Sequence, residues 1–367
     1  MLHPQENNNN HLITWLIMAC CLTLLSDATA EPGQLMNPEA LDDRFDLPDT
    51  AIDTKQIPDF SLDPNIDADT PLPVYQLTDN SYFLFGSIDT LNERNRGWNG
   101  NAGFVVTSDG VVVIDSLGTP QLGDRFIATI RSITDQPIRY LIITHNHPDH
   151  AYGAAPFMAL DGIKIIAHPG VEDYNRSATL QSSVEYRKQT LAQDMKGFQP
   201  VQPDINVETP RFGSITFTLG DVTFQVFNTG KHHSYGDLVI YQQPQNILWI
   251  SDLAFNQRTT YMGDGHSEQI LEAHEWLVEK FSNVKLMVPG HGSAQRSPFP
   301  MLKRTNDYVK RMREAMQQAI DDGLSLHDAV QNVDFEDWQD SRLYEQNQRA
   351  NANFVYREME KAFFENF

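Results

Sequence analysis

Cysteine is almost missing from this chain: Cys20 and Cys21, side by side near its start, are the two it has. Everything after them is without a thiol, which excludes a disulfide framework, a thiolate nucleophile and a cysteine metal ligand there. Basic residues are also scarce, 27 Lys and Arg against 49 Asp and Glu, for a formal net charge of −22. Nucleic-acid binding rests on phosphate neutralisation, so nucleic acid is not an expected partner, and the charge reads as solubility. No apolar run spans a bilayer comfortably. Leu12 to Leu25 is apolar but falls short of the ~20 residues of a membrane helix. Ala28-Thr29-Ala30 follows it, with small residues at offsets suited to signal cleavage. The expectation is a signal peptide over residues 1–30 cleaved after Ala30, and a periplasmic or secreted protein with no membrane span. One feature disagrees, since residues 1–11 hold no Lys or Arg. Lipidation at Cys20 and an uncleaved anchor are the alternatives. A mature chain without disulfides is held by its core, which this length allows.

Residues 31–72 form a second segment. Pro32, Pro38, Pro48, Pro58 and Pro64 are spaced among aspartates, and neither a helical nor a strand period persists. This predicts an acidic linker or arm. Folded structure is expected from about residue 73. Val74 to Leu77, Tyr82 to Phe85, and a hairpin of 101–107 with 111–115 read as strands. Pro120 opens a helix whose apolar face is Leu122, Phe126, Ile130 and Ile133. Strands 139–143 and 163–167 follow, then a helical, polar stretch over 171–199. A second run of strands covers 214–219, 222–227, 237–241 and 247–250, with a helix over 267–280 and a short strand at 285–288. Strands dominate both halves with helices between or after them, which favours an α+β, two-sheet layered fold. From residue 299 the pattern becomes helical (301–321, 325–332, 341–364), a C-terminal extension. Its basic residues Lys303, Arg304, Lys310, Arg311 and Arg313 read as a solvated helix face.

The densest chemistry lies in Thr144-His145-Asn146-His147-Pro148-Asp149-His150. It sits on a turn between strand 139–143 and a helix start, where a rigid scaffold commonly presents reactive groups. Imidazoles and carboxylates are the usual ligands of zinc and its neighbours. Residues two apart on a turn can face one point, so His145 and His147 can share one ion, while Asp149 and His150 suit a second. Three further turns follow strands and would emerge at the same sheet edge. They are Thr229-Gly230-Lys231-His232-His233-Ser234-Tyr235-Gly236-Asp237, Ser251-Asp252-Leu253 and Pro289-Gly290-His291-Gly292.

These separated motifs, in this order, resemble the metallo-β-lactamase-fold hydrolase superfamily over roughly residues 73–298. The resemblance implies a four-layer αββα sandwich with a two-metal site at the sheet edges. It implies that His145, His147 and His233 hold one metal, that Asp149, His150 and His291 hold the other, and that Asp252 bridges them. Asp115 would support the site from behind. His232 and His233 compete for one position; the family spacing of histidine, two residues, glycine and aspartate selects His233. An aspartate at the bridging position separates this chain from the true β-lactamases and is similar to the glyoxalase-II-type thioesterases. Ser251 to Arg258, Met262-Gly263-Asp264-Gly265 and the C-terminal helices look like the quinoprotein relay system zinc metallohydrolases, typically exported proteins. That branch usually has glycine where this chain has Ser251.

Two divalent ions can bridge a hydroxide that is a strong nucleophile at neutral pH. With two zinc ions, or iron or manganese, the implied reaction is attack on an ester, thioester or amide carbonyl, with Asp149 orienting the nucleophile. Tyr235, Asn256 and Arg258 are candidate substrate contacts. The rivals are a mononuclear-iron persulfide dioxygenase-like enzyme, whose iron is held by two histidines and an aspartate, and a metal-holding binding partner in a periplasmic complex. Of the remaining histidines, His274 and His327 are expected on helix surfaces, and His168 and His266 in loops that could line the pocket.

Overall fold

The computed structural model describes residues 61–365 and the backbone of Leu35–Met36. The signal peptide, its cleavage site, the Cys20 alternative and most of the acidic arm lie outside these residues. Two sheets carry the fold. The first runs in chain order: β1 (Leu35–Met36), β2 (Val74–Thr78), β3 (Ser81–Leu84), β4 (Ala102–Thr107), β5 (Gly110–Ile114), β6 (Ile138–Ile142), β7 (Lys164–Ala167) and β8 (Ile205–Asn206). From β2 to β5 it is an antiparallel meander, and from β5 to β8 it is parallel. The second comprises β9 (Ser214–Leu219), β10 (Val222–Gly230), β11 (Asp237–Gln243), β12 (Ile247–Ser251), β13 (Leu286–Pro289) and β14 (Gln295–Arg296), antiparallel except where β12 meets β13.

The layers follow from side-chain alternation. Val111 and Val113 of β5 join Phe104 and Phe126 in a core beneath helix α1 (Pro120–Ile133), while Val112 and Ile114 turn to the other face. There they meet Phe224, Val226, Ile240 and Trp249 of the second sheet. A period of two on strands buried on both faces makes each one serve two cores. The outer face of the second sheet, including Val239 and Leu248, packs on helices. The order is therefore helix, sheet, sheet, helix, an α+β αββα sandwich.

The 171–199 stretch divides at Ser177, whose hydroxyl caps the second helix by accepting from Leu180 N–H. In the stretch 61–72, expected within the linker, Leu72 is fully buried, its N–H donates to Thr129 Oγ1 at 2.7 Å, and Arg125 donates to Thr70 O. Leu35–Met36 pairs in parallel with β2. Short pieces that bond to a neighbour's side chains carry no period, so the pattern along the sequence gave no sign of them.

Helices α6 (Ser267–Lys280), α7 (Pro300–Asp321), α8 (Leu326–Asn332) and α9 (Tyr344–Glu365) form the outer layer on the second sheet; α2 to α5 are the short helices Pro148–Ala151, Ala154–Met158, Gly170–Asn175 and Ala178–Thr190. The extension shares one core with the sheet: Met301, Tyr308, Met312 and Trp338 pack with Phe227, Leu248 and Leu253. Of its basic residues Lys303 and Lys310 are exposed, as on a solvated face, whereas Arg304, Arg311 and Arg313 are half-buried, Arg311 paired with Asp337 and Arg313 with Glu358. Among the described residues no helix is long and apolar enough to cross a membrane.

Candidate metal centre

Five strand ends meet at one edge of the sandwich. Asp115 follows β5, the histidine turn follows β6, and His233, Asp252 and His291 follow β10, β12 and β13. Parallel pairing of β5 with β6 and of β12 with β13 sends their carboxyl ends the same way. All seven residues expected as metal ligands converge there. His145, His147, His233 and Asp252 offer atoms within 4.8 Å of one another, and so do Asp149, His150 and His291. Asp252 touches both sets. Its Oδ2 lies 3.1 Å from His233 Nε2 and 3.1 Å from His291 Nε2, and its Oδ1 lies 3.4 Å from His150 Nε2. Gly290 makes room for it, since a Cβ there would fall 1.8 Å from Asp252 Oδ1.

The donor set fits divalent cations. His145 Nε2 and Asp252 Oδ1 are buried without a hydrogen-bond partner, and buried polar atoms are rarely left so. Charge points the same way. Burial works against ionising Asp149, yet His150, His291 and Arg187 hold its carboxyl well below the usual range. Burial likewise opposes ionised Asp252, and His291, His150 and His233 overcome it. Burial and the neighbouring His150 keep His145 neutral, the form that binds metal. Burial pulls His150 down, but Asp252 and Asp115 outweigh it and push the imidazole up to about 9. Carboxylates that stay ionised among histidines that cannot all be protonated make a cradle for positive charge.

A second ring of residues holds the ligands. Asp115 accepts from His150 Nδ1 at 2.8 Å and from Thr144 N–H at 2.8 Å, the supporting role expected of it. Asp264 takes the same part for His147, at 3.1 Å from Nε2, which leaves Nδ1 for a metal. Asn99 donates to Asp149 Oδ2 at 2.7 Å. Asp237 binds the turn of His233 through the backbone N–H groups of His233 and Ser234. The ring of Phe255 stacks on His291 at 5.5 Å. Asp264 and Asn99 went unassigned in the sequence. Asp264 lies in the Met262–Gly265 stretch and Asn99 beside Trp98, but neither has a fixed spacing from the ligand it holds.

The other named residues fall in several places. Arg258 Nη1 lies 2.9 Å from His291 Nδ1, and its Nε is buried without a partner. Tyr235 is half-buried, with its hydroxyl 3.2 Å from Thr179 Oγ1 and its N–H donating to Asn146. Asn256 is fully buried and donates to Ser293 O and Oγ, so it braces the turn that carries His291. His232 is buried against Thr229 Oγ1, outside both ligand groups. His266 and His327 are exposed, and His168 is buried with its Nδ1 accepting from Gly170 N–H. His274 corrects an expectation: it is buried, because its Nε2 donates to Leu253 O at 2.6 Å beneath the extension.

Comparison with known proteins agrees with this geometry. Residues 95–297 match the family model described as the metallo-beta-lactamase superfamily. A type 2 metallo-beta-lactamase of Elizabethkingia meningoseptica is 26% identical over 227 residues, 61% of this chain and 80% of the relative. Among solved structures, a metallo-beta-lactamase from Pontibacter korlensis aligns with a TM-score of 0.50 at 19% identity, covering 65% of this chain and 98% of its own. The sec-alkylsulfatase Pisa1 from Pseudomonas sp. aligns with a TM-score of 0.60 at 16% identity, covering 77% of this chain and 49% of its own. An αββα sandwich with a histidine and aspartate cluster at its sheet edge defines a metal-dependent hydrolase. The chain belongs to the metallo-beta-lactamase superfamily.

Proposed function

We propose that this protein is an exported dinuclear-zinc hydrolase acting on an ester, thioester or amide carbonyl, within a periplasmic quinoprotein-associated branch of the superfamily. The observation that carries the two-metal reading is Asp252, one carboxylate oxygen 3.1 Å from a histidine of each ligand group. His145, His147 and His233 would hold one ion, Asp149, His150 and His291 the other, and Asp252 would join them. When bound, the pair supplies an activated water and electrophilic stabilisation of the oxygen that gains charge.

The chain's own residues do the rest. Asn99 fixes Asp149 by donating to Oδ2, so that this carboxylate can orient the attacking water. Residue 115 and residue 264 lock the rings they hold, which keeps the ligands from rotating away. Arg258 is the favoured substrate contact. A guanidinium is a donor only. If His291 held a metal, its Nδ1 would carry the ring hydrogen, and Arg258 would no longer have that nitrogen as an acceptor. It is then free for an anionic group on the substrate. Tyr235 is the second candidate contact, from the rim.

Metal analysis together with ester, thioester, amide and sulfate-ester panels tests the proposal. Hydrolysis of one carbonyl class by zinc-loaded protein is the expected result. A single iron per chain, with oxygen uptake on persulfides, would replace the hydrolase by a dioxygenase. In the active class, Arg258→Gln should raise KM by about tenfold or more for anionic substrates and leave neutral analogues little changed, consistent with losing a charged hydrogen bond. Equal losses for both would remove Arg258 from substrate binding.

A further inference from the structure

Strand β12 ends in an unusual way. Its pairing with β13 shifts register between Trp249 and Ser251, and Ser251 adopts φ +47°. A left-handed backbone suits glycine; a side chain there is strained and persists where its surroundings over-determine it. Bulges of this kind re-aim side chains next to active sites. Ser251 is buried, and its hydroxyl lies 2.6 Å from Thr144 Oγ1 and 3.3 Å from His145 Nδ1. Thr144 Oγ1 is itself 3.1 Å from His145 Nδ1 and 2.9 Å from Asp115 Oδ2.

Counting hydrogens fixes the directions. Asp115 Oδ2 is the acceptor in its 2.9 Å contact with Thr144 Oγ1. Thr144 therefore donates its single hydroxyl hydrogen to Asp115 Oδ2. Toward Ser251 it can then only accept, so Ser251 donates to Thr144 Oγ1. Both hydroxyls now turn lone pairs toward His145, and either contact requires the hydrogen to sit on Nδ1. That leaves Nε2 as the lone-pair nitrogen, and Nε2 is the buried, unpartnered atom that faces Asp252 Oδ2 at 3.8 Å.

We propose that Ser251 is a positioning residue for His145: its hydroxyl, donating to Thr144 Oγ1, joins that hydroxyl in holding the ring with Nδ1 protonated and Nε2 presented to the first metal. Asp115 thereby reaches a ligand of each metal, His150 directly and His145 through two hydroxyls. This inference rests on the metal-binding reading above and adds a determinant that a glycine at position 251 would lack.

The test compares Ser251→Gly and Ser251→Ala with the wild type, using zinc affinity from chelator competition and the imidazole ¹⁵N spectrum of the metal-free protein. Glycine removes the hydroxyl and relieves the strain; alanine removes the hydroxyl and keeps it. In both variants one of the two zinc constants is expected to weaken by about tenfold, the lower end for loss of an outer-shell partner. The ¹⁵N shifts should place the hydrogen of His145 on Nδ1 in the wild type, and largely still there in the variants, since Thr144 Oγ1 remains 3.1 Å from Nδ1. Metal-free Ser251→Gly should melt at or above the wild-type temperature, so its weaker zinc binding could not be ascribed to a damaged fold. Zinc affinity within twofold of wild type in Ser251→Gly overturns the proposal, whatever alanine does, and so does a wild-type His145 with its hydrogen on Nε2. If the wild type bound no zinc, the metal reading would fall, and the imidazole spectrum would still decide whether the two hydroxyls hold the ring with its hydrogen on Nδ1.

Discussion

The two halves of the sandwich build their shares of the centre differently. The first half delivers four ligands on one turn, residues 145–150, braced by Asp115 and Asn99 from the same half. The second half supplies His233, Asp252 and His291 from three separate turns. The loop that starts at Asp252 and runs to Asp264 is tied to the C-terminal helices. Phe255 N–H donates to Thr305 Oγ1, Asn351 binds Met262 N–H and Thr260 O, and Asn347 binds Thr259 O. His274 of α6 holds Leu253 O, next to Asp252. One half thus gathers its share on a single turn, with Asp264 and Ser251 of the other half also touching His147 and His145, and the other needs an outer helical layer to place its own. The C-terminal extension is the scaffold of the second half.

That contrast can be broken by experiment. The largest effect should come from Asp252→Ala, which touches both ligand groups. Hydrolysis should fall on the order of 10³-fold or more, the scale of removing a principal electrostatic stabiliser, and kcat on the active substrate measures it. Next is Asn351→Leu. It leaves Met262 N–H to find a new partner, at about 1–3 kcal/mol, while Thr260 O keeps Asn347 Nδ2. Thermal melting should show the loss, and zinc competition should show weakened binding although residue 351 touches no ligand. A destabilised variant with wild-type zinc affinity would mean that the extension does not support the loop. Asp115→Asn and Asp264→Asn sharpen the comparison, one from each half. Each should weaken zinc about 10–100-fold, and a much smaller effect for Asp264→Asn would mean that the first half holds His147 without help from the second.

The smallest effect concerns pH. Burial pushes His274 down to about 4, so in the fold it stays neutral. In the unfolded chain an imidazole takes its proton near ~6.5. The unfolded state therefore binds the proton first as pH falls, and stability present above ~6.5 is lost progressively toward pH 4, by up to about 3 kcal/mol. The stability gap between wild type and His274→Gln should shrink over that window in denaturant titrations. A constant gap would contradict a neutral buried His274.

What could be read from the sequence follows the same division. The histidine turn was legible because four ligands within six positions exceed anything a polar loop needs. The strands were legible where alternating apolar residues fill two cores, as in Val111 to Ile114. His233, Asp252 and His291 could be proposed because each follows a strand, but their convergence depends on β10, β12 and β13 ending at one edge. Asp264, Asn99 and Ser251 were not legible as supporting residues. Each meets its ligand through a loop path or a backbone kink, and neither leaves a period or a spacing. His274 looked like a surface residue because a helical pattern gives no sign of a backbone carbonyl from another element packed over it.

The most direct test of the account is the metal content of protein purified without added metal, by elemental analysis against protein concentration. The account predicts about two zinc per chain. One iron per chain, or no metal in a folded protein, would contradict it.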